Sequence, residues 1–362
     1  MQDKLKQVCE DFGIEGTYLS YEEITVGHVN RTYKVNYLGT DGRPCSYIAQ
    51  VLNTFAFKNP VAVMENIDRV TEYIRKETPG SKVLRFFHTK DDKPYIFEGD
   101  YFWRLYSYVP AVTYNTCEDL DVIENAGRAF GEFQMQLAHF DPEQLNITIP
   151  NFHNTRDRYR KLEEDMAAAA QEMLDEVREE LDWLLEVKET ACTLTDLGQT
   201  GQLPSRVTHN DTKINNVLFA ENGKEALVVV DLDTVMPGLV GFDFGDAIRF
   251  AANCQAEDCP EADKVKVNLD VFRAFTKGFL AYTAGVLTAK EVETLALSSF
   301  VMTTEVAVRF LNDYMIGSPY FKIAYPKHNL VRARCQIALA KDMLRHMDEM
   351  NAVVRECMKE NS

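Results

Sequence analysis

A chain of 362 residues, 46% of them hydrophobic and 26% charged, exceeds the size at which one hydrophobic core keeps growing, so two lobes are expected. A net charge of −17 argues against a nucleic-acid partner and requires any polyphosphate site to gather positive charge locally or bring in metal ions. Residues 1–16 lack the apolar core of a signal peptide, no run approaches the ~18 apolar residues of a membrane span, and the eight scattered cysteines read as free thiols in a reducing cytoplasm.

The predicted elements begin as strands. Residues 24–37 alternate β-branched and aromatic side chains around Gly27, Asp41-Gly42 marks a hairpin turn, and residues 46–52 form a second strand. Pro60 opens a helix with Val63, Ile67, Val70 and Ile74 on one face, ending before Pro79-Gly80. Residues 83–87 and 95–97 are further strands about the polar turn Asp91-Asp92-Lys93, and residues 102–109 form a last aromatic strand running into Pro110. Helix then dominates. Residues 122–140 carry Ile123, Ala126, Phe130, Phe133 and Leu137 on one face. Residues 157–190 read as one long acidic amphipathic region with a solvated charged side. A β-rich island at 206–233 follows, and helices resume from Phe272 to the end.

The island holds the most suggestive chemistry. His209-Asn210-Asp211-Thr212-Lys213-Ile214-Asn215-Asn216 precedes two short strands joined by the turn Asn222-Gly223, and the second strand ends in Asp231-Leu232-Asp233. Phosphoryl transfer needs a base for the attacking hydroxyl and carboxylate or amide oxygens that hold magnesium against the phosphates. Asp211 fits the base and Lys213 a cation beside the transferring group. Asn216 and Asp231 fit the metal ligands, and His209 a support for the loop. Protein kinases use the same grammar. Asp243-Phe244-Gly245 spells their metal motif literally but does not end an apolar strand, so Asp243 reads as a structural acid that anchors the loop or caps a helix from Asp246 onward.

The chain resembles the aminoglycoside phosphotransferase and choline kinase superfamily, and more closely the N-acetylhexosamine 1-kinases. The matching segments are residues 27–33, 103–106, 206–213, 230–238, 242–246 and 325–332. The resemblance implies an α+β, two-lobed, protein-kinase-like fold, with a nucleotide-binding lobe over 1–108 and a catalytic, substrate-binding lobe over 109–362. It implies ATP and Mg2+ as cofactors and phosphorylation of the anomeric hydroxyl of an N-acetylhexosamine. In the nucleotide lobe it implies phosphate contacts from the loop of Gly27, Asn30 and Thr32, with Gln50 standing where kinases carry a strand lysine, and adenine against the connector at Tyr106 and Tyr108. For the sugar it points to His28, Asp233, Arg309 and Tyr320.

By their own chemistry two of these residues leave alternatives. Arg309, on an apolar helix face, meets either a substrate or an ion-pair partner such as Glu305 or Asp313, and Tyr320 either the site or the core. Choline, homoserine or an aminoglycoside remain alternative acceptors. A silent, binding-only kinase fold is a further alternative, although it would be expected to lose Asp211, Asn216 or Asp231, and all three are present.

Overall fold

The computed structural model describes residues 1–25 and 30–361. Its first part is an antiparallel sheet of β1 (Thr17–Ile24), β2 (Arg31–Leu38), β3 (Pro44–Leu52), β4 (Ile96–Glu98) and β5 (Tyr101–Ser107), in the order β1-β2-β3-β5-β4. Alternation along β2 turns Tyr33, Val35 and Tyr37 into a small core with Trp103 and Leu105 of β5. This core is closed by α1 (Gln2–Asp11), whose Leu5 and Val8 are fully buried. Leu52 and Phe102 join a second, larger core with α2 (Pro60–Glu77). Pro60 occupies the first turn of α2, where its missing N–H costs nothing, and Asn59 caps it by accepting from the Ala62 N–H.

The second part is larger and helical. It comprises α3 (Leu120–Gln136), α4 (Thr155–Ala168), α5 (Gln171–Glu176), α6 (Arg178–Glu186), α7 (Lys188–Ala191), α8 (Thr193–Gln199), α9 (Val240–Ala251), α10 (Leu269–Thr283), α11 (Ala289–Met315), α12 (His328–Arg345) and α13 (Met347–Glu360). Between α8 and α9 lie β6 (Arg206–Thr208), β7 (Val217–Phe219), β8 (Ala226–Val229) and β9 (Met236–Gly238), with β6 paired to β9 and β7 to β8. A small antiparallel-sheet lobe followed by a larger helical one is the α+β arrangement that the sequence predicted.

Several elements differ from the sequence reading. The apolar stripe of α1 is only a few residues, too short for periodicity to announce it. The strand expected at 24–37 is split, since Ile24 ends β1 and Arg31 begins β2. Residues 83–87 form only a bridge, Phe86 to Tyr106, because β5 shares one edge between this segment and β4. The long acidic helix is four shorter ones. The Tyr159 hydroxyl donates to the Leu184 carbonyl at 2.9 Å, whereas one straight helix would separate them by about 37 Å. Burying the apolar faces at both ends of this stretch requires the chain to fold back. Helix α9 starts at Val240 rather than near Asp246 and is buried on almost every side, so it shows no polar face to read.

Contrary to the sequence expectation, α11 is long and apolar enough to cross a membrane by length and composition. In the fold, 89% of its most apolar window is buried inside the protein. It packs on α4, α9 and α12 as the central core helix and starts at a capping box of Thr288 and Glu291.

Helices α3 and α10 approach closely at glycines. A Cβ on Gly278 would lie 2.0 Å from the Glu124 carbonyl oxygen, and one on Gly127 2.3 Å from that of Phe275. The obstacles are backbone, so no rotamer change relieves them. Gly278→Ala should therefore destabilise the protein by about 1–3 kcal/mol, as overpacking does. Chemical denaturation at equilibrium would show this as a lower midpoint, and an unchanged midpoint would contradict the packing described.

Candidate active site

The loop after β6 is held by its own side chains. Asn210 adopts φ +64, a conformation that asparagine tolerates better than most residues. Its amide donates to the Thr208 and Thr234 carbonyls at 3.2 and 3.0 Å. The buried Asp243 carboxylate accepts the backbone N–H of His209 at 2.9 Å, that of Asn210 at 2.7 Å and the Gln134 amide at 2.7 Å. Asp243 thus anchors the loop, from within the first turn of α9. His209 donates from Nε2 to the Val230 carbonyl at 2.9 Å, and its Nδ1 accepts the Asp211 N–H at 3.3 Å. One ring therefore ties the segment ahead of Asp211 to the segment ahead of Asp231.

On this frame Asp211, Lys213 and Asn216 meet directly. Lys213 Nζ lies 3.0 Å from Asp211 Oδ1. The Asn216 amide donates to the Asp211 carbonyl at 2.8 Å and to Oδ2 at 3.2 Å, leaving the Asn216 side-chain oxygen as a hard ligand. Burial alone would lower the Lys213 ammonium, but Asp211 and Asp246 hold it above its ordinary value. Asp231 sits at φ +60 at the end of the hairpin and remains solvent-exposed. The enclosing protein, then the carboxylates of Asp233 and Asp211, push it up to about 6 against the pull of Arg104. Mutually repelling carboxylates with an open face are a donor set that suits a hard divalent cation.

Asp233 is 3% exposed and has both oxygens occupied. Arg104 of β5 pairs with one, and the Asn30 amide donates to the other at 2.7 Å. Arg104 also donates to Gln50 Oε1 from Nε at 2.8 Å and from Nη2 at 2.6 Å, and Gln50 donates to Thr32 Oγ1 at 2.8 Å. The strand register explains this chain, because Gln50 stands opposite Thr32 on β2 and opposite Arg104 on β5. The cation absent from β3 is present one strand away.

The match to known proteins agrees with this geometry. The model of the phosphotransferase enzyme family matches residues 20–273. This chain belongs to the phosphotransferase enzyme family. Among solved structures, a microcompartment-associated aminopropanol kinase shares 15% identity at a TM-score of 0.60, covering 97% of this chain and 99% of its own. An aminoglycoside phosphotransferase from Alicyclobacillus acidocaldarius shares 13% identity at 0.60, covering 95% and 94%. An amicoumacin kinase in complex with AMP-PNP, Ca2+ and Ami shares 12% identity at 0.58, covering 93% and 92%. At these identities the likeness is one of fold, and the fold is kinase-like.

Within this phosphotransferase, the other predicted residues are distributed as follows. Gly27 and His28 lie outside the described residues. Tyr106 is half-buried against Phe86 at 5.2 Å, and Tyr108 lies under Lys34 at 4.6 Å. Arg309 makes neither of the ion pairs weighed for it. Glu305 instead accepts from His153 and Thr155, and Asp313 from Asn329 and the N–H groups of Tyr320 and Phe321. The Arg309 guanidinium rests on the rings of Phe152, Phe321 and Tyr320 at 5.6, 5.5 and 5.9 Å. Tyr320 is 71% exposed rather than core. The Asp233 carboxylate, expected to meet the sugar, is held between the two lobes by Arg104 and Asn30.

Sequence reasoning passed over Arg104. Its signal was a lone charge in an aromatic strand, which demands a buried partner. Removing one member of a buried pair typically costs about 3–5 kcal/mol, so Arg104→Met and Asp233→Asn should each destabilise strongly. The double variant should cost clearly less than their sum in a denaturation cycle. Simple additivity would show that the pair does not couple the lobes.

Proposed function

We propose that this protein transfers the γ-phosphoryl group of ATP to the anomeric hydroxyl of an N-acetylhexosamine, giving ADP and a sugar 1-phosphate. The observation that carries the kinase chemistry is Asp211, half-exposed and fixed between Lys213 and Asn216 on a loop locked by Asp243. In this reading Asp211 accepts the hydroxyl proton as the sugar oxygen forms its bond to phosphorus and the bond to ADP breaks. Lys213 offsets charge on the group in transit. Mg2+ held by Asn216 and Asp231 would neutralise the phosphates. Thr32, Gln50 and Asn30 would border the phosphates, and Tyr106 and Tyr108 the base. Residues 1–108 thus serve the nucleotide and residues 109–362 the acceptor, in a cytoplasmic enzyme whose eight cysteines are free thiols.

The acceptor side supports a neutral sugar over an amine. Arg309 carries its charge on an aromatic platform beside Arg158, which donates to the Phe152 carbonyl at 2.8 Å. Two guanidinium groups repel a cationic acceptor but hydrogen-bond sugar hydroxyls and the acetamido carbonyl. The segment 325–332 braces this wall. Asn329 donates to Asp313 at 2.9 Å, and Asp313 in turn holds the backbone of Tyr320 and Phe321.

Asp211→Asn should lower kcat by about 10²–10⁴-fold while ADP binding persists. A near wild-type rate in a coupled ADP-release assay would remove the base assignment. Over a panel of N-acetylglucosamine, N-acetylgalactosamine, choline, homoserine and an aminoglycoside, the hexosamines should be consumed. Phosphorus NMR should show the product as a 1-phosphate. A 6-phosphate, or turnover of the amines alone, would refute the sugar 1-kinase reading and leave the phosphotransferase family standing.

A further inference from the structure

A buried titratable pair reaches the catalytic loop from behind. His153 lies between α3 and α4, its side chain 5% exposed, flanked by Phe152 and Phe242 at 4.5 and 5.2 Å. Its Nδ1 is 2.9 Å from Oε1 of Glu305, a fully buried residue within α11, and its Nε2 is 3.1 Å from the backbone oxygen of Asn210. Carboxylates and carbonyls accept hydrogen bonds and donate none. Both contacts are therefore made when both ring nitrogens carry protons and the ring is cationic. Burial alone would raise the Glu305 carboxyl, but His153, then Arg158 and Arg309, draw it below its ordinary value.

The carbonyl that His153 grips belongs to the same planar peptide as the Asp211 N–H. His209 Nδ1 accepts that N–H at 3.3 Å. Because His209 donates through Nε2 to Val230, its Nδ1 is bare and its ring neutral. Two histidines in opposite protonation states thus pin opposite edges of one peptide plane. Asn210 at φ +64 does not hold that plane by intrinsic preference, and a tilt of it would swing the Asp211 side chain. A buried ion pair is in itself a weak source of stability.

We infer that the His153–Glu305 pair is a positioning device for Asp211, with cationic His153 fixing the Asn210–Asp211 peptide in the orientation that catalysis needs. The inference rests on Asp211 being the base.

Steady-state kinetics of the full-length enzyme, with ATP and the best acceptor of the panel, test it in His153→Gln and Glu305→Gln. In each, kcat should fall about ten- to a hundredfold, the rate equivalent of one charge-assisted hydrogen bond. Both KM values should stay within about twofold, as for an interaction realised in the transition state. Glu305→Gln keeps an acceptor for His153 but not the negative charge. The other charged groups around the pair, Arg158, Arg309 and Asp246, are unchanged in both variants. The double variant should be no slower than the slower single, because the two residues act as a unit. Tyr159→Phe, which removes a buried hydroxyl bond in α4, is the control and should melt earlier at unchanged kcat. A His153→Gln enzyme that melts early with wild-type kcat, or one whose loss lies in KM alone, overturns the inference. If His153→Gln does not fold, Glu305→Gln decides by the same readouts. Asp211→Asn run alongside separates the two claims. A wild-type rate there removes the base itself, whereas inactivity there with full activity in His153→Gln removes only the positioning role.

Discussion

The site depends on one buried carboxylate, Asp233, held between the lobes by Arg104 and Asn30. An isolated charge in that position would be prohibitively desolvated, so the ion pair commits β5 and the turn after β8 to each other. Asp231 is only two residues away and inherits its placement. The same guanidinium reaches Gln50 and, through it, Thr32. The polar residues of the small lobe are thereby set in register with the large lobe before any ligand arrives. This is preorganisation, in which the ordering cost is met in folding rather than in binding.

A second buried acid performs the equivalent task inside the large lobe. Asp243 accepts two successive backbone N–H groups of the loop that carries Asp211. It belongs to an Asp-Phe-Gly triplet that looks like a metal motif and is used as an anchor. Two aspartates that could each be taken for a metal ligand therefore differ in exposure. Asp231 is solvent-exposed, whereas Asp243 is 2% exposed and bonded on both oxygens.

The protein carries a net charge of −17, yet cations surround the site. Lys213 lies against Asp211, Arg104 against Asp233, and Arg309 on the rings of Phe152, Tyr320 and Phe321 beside Arg158. Each is held by burial, a carboxylate or an aromatic face. Local concentration of positive charge within an acidic surface is what polyphosphate chemistry requires, since fixed dipoles and charges in a partly desolvated site act far more strongly than in water.

The order of lobes, most of the N-terminal strands, the face of α3 and the grouping of Asp211, Lys213 and Asn216 are legible from local signals: short periods, turn residues and a loop whose polar residues sit within a few positions. Asp243, which does not end an apolar strand, was legible as a structural acid, and in the fold it anchors the loop of Asp211. What joins distant stretches of chain is settled only by packing. That Arg104 meets Asp233, that His153 reaches Asn210, and that α4 folds back on α6 are separations of 129, 57 and 25 residues, and no local pattern encodes which buried charge finds which partner. The fate of Arg309 shows the same limit. An apolar helix face announces that its charge needs company, but only packing brought three aromatic rings rather than a carboxylate to meet it.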